Sequence, residues 1–143
     1  MKIRNAQAQD AYDLTRLLDQ LGYPGSKDFI QDRIQLLKEH PNAGILVCEV
    51  EGQVAGCLAY HFLIQLGLTG DFCRITYFCV DSEFRGRGIG KRLEEELAAM
   101  AKKRGCDRIE VHCGIQRLDA HAFYTRMGYD ESPKYFIKPV PSV

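Results

Sequence analysis

A mixed α/β domain with one central sheet, in the order β-α-α-β-β-β-α-β-α-β, is predicted for this chain on three grounds. Apolar residues recur at helical spacing in four segments. Between and around them lie short runs rich in β-branched and aromatic residues, of strand length. Glycine stands where helical patterns stop, at Gly22, Gly105 and Gly128. A chain of 143 residues, 45% hydrophobic and 27% charged, suits one folded domain spanning 1–143.

The first strand is expected near Lys2 to Asn5. Asp10 can cap a helix with Ala11, Leu14, Leu17, Leu18 and Leu21 on one face. After the break at Gly22 to Gly25, Ser26 can cap a second helix carrying Ile30, Ile34 and Leu37, with Pro41 beyond its end. Gly44 to Val50 and Gln53 to Leu63 read as strands joined by a Glu51-Gly52 turn. A loop from Leu66 to Asp71 leads to a fourth strand, Cys73 to Val80. The long helix that follows buries Ile89, Leu93, Leu97, Met100 and Ala101. Glu94 to Glu96 lie in its first half, Lys102 to Arg104 at its end, an order that suits the helix dipole. Those three glutamates are read as an exposed face. Arg108 to Cys113 alternates as a strand, Asp119 can cap a last helix through Met127, and Lys134 to Val140 is a closing strand.

The 19 basic and 19 acidic side chains cancel. No bulk field draws the chain to nucleic acid or to an anionic membrane, so an anion site must be built locally. Asn5 to Asp10 is polar where a secretory leader would be apolar, and no apolar stretch is long enough to span a bilayer, which predicts a cytoplasmic protein. Of six cysteines, Cys48, Cys57, Cys73, Cys79 and Cys113 fall in strand-like runs. Without a C-x-x-C pair or zinc-like His spacing they read as buried reduced thiols, and no metal is expected.

The informative segment is Val80-Asp81-Ser82-Glu83-Phe84-Arg85-Gly86-Arg87-Gly88-Ile89-Gly90-Lys91. It joins a strand to a helix, so the first N–H groups of that helix face the loop without intrahelical acceptors and favour an anion. Gly86, Gly88 and Gly90 admit close approach of a ligand, and Arg85, Arg87, Lys91 and Arg92 add positive charge. A pyrophosphate is the natural guest. A Walker loop would need Gly at Arg85 and Ser or Thr at Arg92; a G-x-G-x-x-G dinucleotide fingerprint from Gly86 would need Gly at Lys91. Neither fits.

The segment resembles the hallmark [RQ]-x-x-G-x-[GA] of the GCN5-related N-acetyltransferase (GNAT) family, with Arg85, Gly88 and Gly90 in the marked places. A second signature, Ala-x-x-Phe-Tyr-x-x-x-Gly-Tyr, is carried by Ala120, Phe123, Tyr124, Gly128 and Tyr129, and the resemblance extends over most of the chain. It implies a GNAT-like fold in which the fourth and fifth strands splay apart. It also implies that the amides from Arg87 through Gly88, Ile89 and Gly90 to Lys91 hold the pyrophosphate of acetyl-CoA, the cosubstrate. The main chain around Cys79 and Val80 would bond the pantetheine arm. Tyr124 matches the tyrosine that protonates the departing thiolate in many members, whereas its helix alone would make it a packed core residue.

The implied activity is direct acetyl transfer to an amine, on a small molecule, peptide or protein. Dimers are common among relatives, and a homodimer is compatible with this chain. Arg117 stands where many members have a cofactor-contacting asparagine, and reads either as a phosphate ligand or as a solvated loop residue. Tyr77, His61, His112 and Glu110 lie on predicted strands where the family builds its acceptor cleft. Each is a candidate base, and each also has a packing or surface reading. Tyr23, Phe72 and Tyr135 could line that cleft. The different-class reading is a catalytically idle acetyl-CoA-binding module with a sensing or regulatory role.

Overall fold

The computed structural model describes residues 1–113, 117–132 and 136–142. The chain falls into two compact units, Met1–Val111 and His112–Val143.

The first unit contains β1 (Lys2–Asn5), α1 (Ala11–Leu21), α2 (Ile30–Glu39), β2 (Ala43–Val50), β3 (Gln53–Leu63), β4 (Phe72–Val80), α3 (Ile89–Arg104) and β5 (Ile109–Val111). The strands form one sheet in the order β1-β2-β3-β4-β5, antiparallel until the last pair, which is parallel. The β2–β3 hairpin closes through Glu51 (φ 52°) and Gly52 (φ 77°). Positive φ at both central residues matches the turn to the right-handed twist of the strands.

Two apolar layers cover the sheet. On one face Ile89, Leu93, Leu97 and Ala101 of α3 pack with Leu46, Cys48, Leu58, Tyr60, Cys73 and Ile75. On the other, Leu14 and Leu17 of α1 and Ile30 and Ile34 of α2 pack with Val47, Val54, Cys57 and Cys79. Gly56 lets α3 approach closely: a Cβ there would stand 2.8 Å from Ile89 Cγ2 and 3.1 Å from Leu93 Cδ1. Gly56→Val is therefore expected to overpack this contact and cost about 1–3 kcal/mol in denaturant unfolding.

A bulge in β4 controls what its two halves face. Pairing with β3 shifts between Ala59↔Tyr77 and Tyr60↔Ile75, leaving Thr76 as the extra residue, with its Oγ1 donating to Ala59 C=O at 3.2 Å. Before the bulge Cys73 and Ile75 belong to the α3 layer; after it Phe78 and Val80 do, while Cys79 joins the α1 layer. One inserted residue has inverted the alternation. The parallel ladder with β5 ends at the same place: it pairs Cys73, Arg74 and Ile75 with Ile109, Glu110 and Val111, and β4 runs on to Val80.

In the second unit α4 (Leu118–Arg126) ends in a left-handed Gly128 (φ 92°). Gly128 N–H donates to Thr125 C=O at 3.1 Å and Tyr129 N–H to Tyr124 C=O at 2.9 Å. The Tyr124 and Tyr129 rings meet at 5.5 Å. This is the Schellman ending with its apolar clasp, and it explains the Tyr-x-x-x-Gly-Tyr spacing: the glycine makes the turn and the second tyrosine locks the first.

Several expectations are corrected. Asp10 does not cap α1 with its side chain. It closes a 3-10 turn, Ala8–Asp10, accepting from Gln7 N–H at 2.7 Å and from both Arg4 guanidinium ends at 2.8 and 2.9 Å. Ser26 likewise opens a separate 3-10 turn, Ser26–Asp28, and the residue before α2 is Phe29. Asp119 lies in the first turn of α4, where Arg117 holds the cap position. β5 is shorter than Arg108 to Cys113: it spans Ile109–Val111, and its ladder with β4 ends at Ile75, next to the bulge. Glu94 is buried at 5% exposure, its place three residues before Leu97 setting it beside the buried stripe. Of the expected closing strand, Lys134 and Tyr135 lie outside the described residues, and 136–140 carry no strand pairing among the described residues. Phe136, Ile137 and Val140 are exposed at 90, 81 and 90%.

Candidate functional site

The chain leaves β4 at Val80, passes Asp81 and a 3-10 turn, Ser82–Phe84, and enters α3 through an extended Arg85. Gly86 (φ 80°) and Gly88 (φ 79°) are left-handed, a backbone state L side chains rarely adopt. A Cβ at either would meet nothing within 4 Å, so these glycines serve the turn and the space beside them is open.

Gly88 is the cap residue of α3, and the first α-helical bond is Arg92 N–H to Gly88 C=O at 3.0 Å. The N–H groups of Ile89, Gly90 and Lys91 precede that bond and have no intrahelical acceptor. No acidic residue stands in the first turn of α3. Ile89 is 1% exposed, so its side chain pins the helix start to the core while its amide stays in the loop. The Arg87 guanidinium lies over the buried Phe84 ring, 4.8 Å from its centroid. Arg85, Lys91 and Arg92 are exposed. Arg92 reaches away to Met1 Sδ at 3.7 Å, so the loop combines main-chain donors and the positive helix end with the exposed Arg85, Arg87 and Lys91, a setting that suits a diphosphate.

Cys79 and Val80 lie directly upstream, on the stretch of β4 beyond its ladder with β5. The Cys79 thiol is buried and donates to Leu17 C=O at 3.3 Å. It is committed to packing, and the Cys79 main chain lies opposite Cys57 in the β3–β4 ladder. All six cysteines are free, and burial pushes Cys57 and Cys73 up to about 12. Among the described residues no cluster of three or more His, Cys, Asp or Glu could hold a metal ion.

Tyr124 sits in the second unit, half-buried on α4. Burial, and secondarily Cys113, push its phenol up to about 12 against the opposing charge of Arg117. It therefore keeps its proton throughout the ordinary pH range.

The base candidates separate. Burial would raise Glu110, but hydrogen bonds from Arg74 (2.9 Å) and Arg108 (2.7 Å), with their charge, hold it below the usual carboxylate range. That makes it a poor base. Burial and the neighbouring His40 ring, 6.1 Å away, lower His61. Tyr77 is 40% exposed and meets Tyr23 edge-to-face at 5.1 Å. Phe72 lies under Arg108, 4.3 Å from its guanidinium carbon. His112 is exposed in the second unit, and Tyr135 lies outside the described residues.

A polar cluster behind the loop is not evident from sequence. Asp81, 2% exposed, pairs through Oδ2 with Arg16 and accepts from Glu83 N–H at 2.9 Å. Arg16 also donates to Val54 C=O at 3.0 Å, and Asp13 accepts from Val54 N–H at 3.1 Å. One turn further along α1, Gln20 Oε1 accepts from Ser82 N–H at 2.9 Å. The one available signal was the spacing of Asp13, Arg16 and Gln20 at i, i+3 and i+7, which reads equally as a solvated helix face.

The family profile described as Acetyltransferase (GNAT) family matches residues 8–129, and the chain belongs to that family of N-acetyltransferases, which generally use acetyl-CoA as cosubstrate. It is 31% identical over 134 residues to an uncharacterized N-acetyltransferase of Chlorobaculum tepidum, covering 94% of this chain and 78% of the relative. It is also 31% identical over 98 residues to the aminoalkylphosphonate N-acetyltransferase of Salmonella typhimurium, covering 68% of this chain and 64% of that enzyme. Glucosamine-6-phosphate N-acetyltransferase of Arabidopsis thaliana superposes with a TM-score of 0.84 at 26% identity, over 98% of each chain.

Proposed function

We propose that residues 1–143 act as one N-acetyltransferase domain that moves an acetyl group from acetyl-CoA directly to a primary amine, without a metal. The observation that carries this reading is the start of α3, where the Ile89, Gly90 and Lys91 amides follow the left-handed Gly88 cap beside open space. These amides, with those of Arg87 and Gly88, bind the diphosphate, and the charges of Arg85, Arg87 and Lys91 surround it. The main chain at Cys79 and Val80 receives the pantetheine arm as an added strand.

In the transfer step the neutral amine attacks the thioester carbon, a backbone N–H steadies the oxygen, and the C–S bond breaks as the Tyr124 phenol gives its proton to the sulfur; the nitrogen then releases its extra proton to water and the phenolate takes one back, leaving amide, thiol and phenol. Tyr23 and Tyr77 form part of the acceptor wall: Tyr77, on β4 just past the bulge, and Tyr23, in the loop after α1, are both exposed and meet edge-to-face. The acceptor is a small-molecule, peptide or protein amine. Six free cysteines suit a reducing compartment, and a cytoplasmic location goes with this reading.

The test is incubation with acetyl-CoA and a panel of polyamines, aminoglycosides, amino sugars, aminophosphonates, amino acids and peptides, reading free thiol. Acceptor-dependent release supports the reading. Tight acetyl-CoA binding with no release across the panel would instead assign an idle binding module.

A further inference from the structure

The diphosphate loop is tied at its exit from β4 to a helix outside the loop itself. Asp81 N–H donates to Ala55 C=O at 2.8 Å, and Asp81 C=O accepts from Phe84 N–H at 2.9 Å. Its carboxylate takes Glu83 N–H on one oxygen and the Arg16 guanidinium on the other. Arg16 reaches on to Val54 C=O and to Asp13 Oδ1 at 3.4 Å. Together with Gln20 at Ser82 N–H, α1 therefore grips the first residues of the loop at two points one turn apart. The far end of the loop is fixed by Ile89 in the core.

The grip has an electrostatic consequence. Asp81 is a buried carboxylate four residues before Arg85, on the segment proposed to receive a diphosphate. Unpaired, it would set a negative charge behind an anion site, where low exposure screens it poorly. Arg16 cancels that charge.

We propose that Arg16 and Asp81 are positioning residues for the cosubstrate: their ion pair fixes the path of the loop, and Arg16 neutralises the carboxylate beneath the diphosphate. This rests on the N-acetyltransferase reading above. A clamp that is only structural treats the two partners alike. A clamp that also sets the field does not. Removing Arg16 bares a buried anion, whereas removing the charge of Asp81 leaves Arg16 paired with Asp13 and no unpaired anion beneath the loop.

The test measures CoA binding by calorimetry for the wild type, Arg16→Met, Asp81→Asn and the double variant, each well below its own unfolding temperature. Arg16→Met is expected to weaken CoA by about tenfold or more, Asp81→Asn by about threefold or less, and the double variant to recover at least about threefold over Arg16→Met. Arg16→Lys keeps the charge and should stay within about threefold of wild type; it also serves if Arg16→Met does not fold. The proposal is overturned if all folded variants bind CoA alike. It is equally overturned if the double variant binds more weakly than either single, or if Arg16→Lys loses as much as Arg16→Met was expected to lose. Failure of the wild type to bind CoA would strike the enzyme reading itself and is read separately from these ratios.

Discussion

Gly88→Asp is expected to leave the protein folded while weakening acetyl-CoA by about 100-fold or more, about 2.7 kcal/mol. Gly88 is the cap residue of α3, the position where aspartate stabilises helices by accepting from the first-turn amides. Its φ of 79° is costly for most side chains but is among the states aspartate tolerates best. The new carboxylate would therefore occupy the same N–H groups that the diphosphate needs, and add like charge. Stability and affinity should separate: an unfolding midpoint close to wild type, with binding lost by calorimetry. Gly88→Ala serves as the control, since it brings the backbone strain without the charge. Equal losses in the two variants would mean that loop geometry, not competition for the amides, controls the site.

Tyr124→Phe is expected to lower kcat by about 100-fold with little change in cosubstrate affinity, the usual scale for losing a positioned proton donor. The pH dependence sharpens the test. A phenol pushed up to about 12 is protonated from neutrality to mild alkali, so its proton is present where the enzyme works and is lost only as pH rises through about 12. The rate should rise with pH as the acceptor amine becomes neutral, with no alkaline fall from this residue below about pH 11. The Phe variant should show a profile of the same shape at lower height. Unchanged turnover would remove Tyr124 from the chemistry; an alkaline fall in the wild type that the variant lacks would keep it there but contradict a phenol pushed up to about 12. The Schellman ending contributes here, because Tyr129 clasps Tyr124 and limits where the phenol can point.

Much of the fold was legible because local physics wrote it. The β3 bounds, the Glu51-Gly52 turn and the glycine-closed helices follow from periodicity and from positive φ. The glycine loop was legible as a strand-to-helix connection because strand, turn and helix adjoin in sequence. What failed is non-local. Whether Asp10 caps a helix or receives Arg4 depends on where β1 passes. The bulge at Thr76, which inverts the facing of β4 and coincides with the end of its ladder with β5, leaves no mark in the alternation of Cys73 to Val80. Arg16 and Asp81 are 65 residues apart, and neither announces the other. Glu94 shows the same limit: a charged triplet reads as solvated until packing buries one member.

The most direct measurement is calorimetric titration of the folded wild type with acetyl-CoA and with CoA, carried to millimolar ligand, with ATP and NAD as competitors. Saturable uptake of both CoA species, unaffected by ATP or NAD, is the result that donors at the start of α3 predict. No heat from either CoA species, or displacement by ATP or NAD, would contradict it.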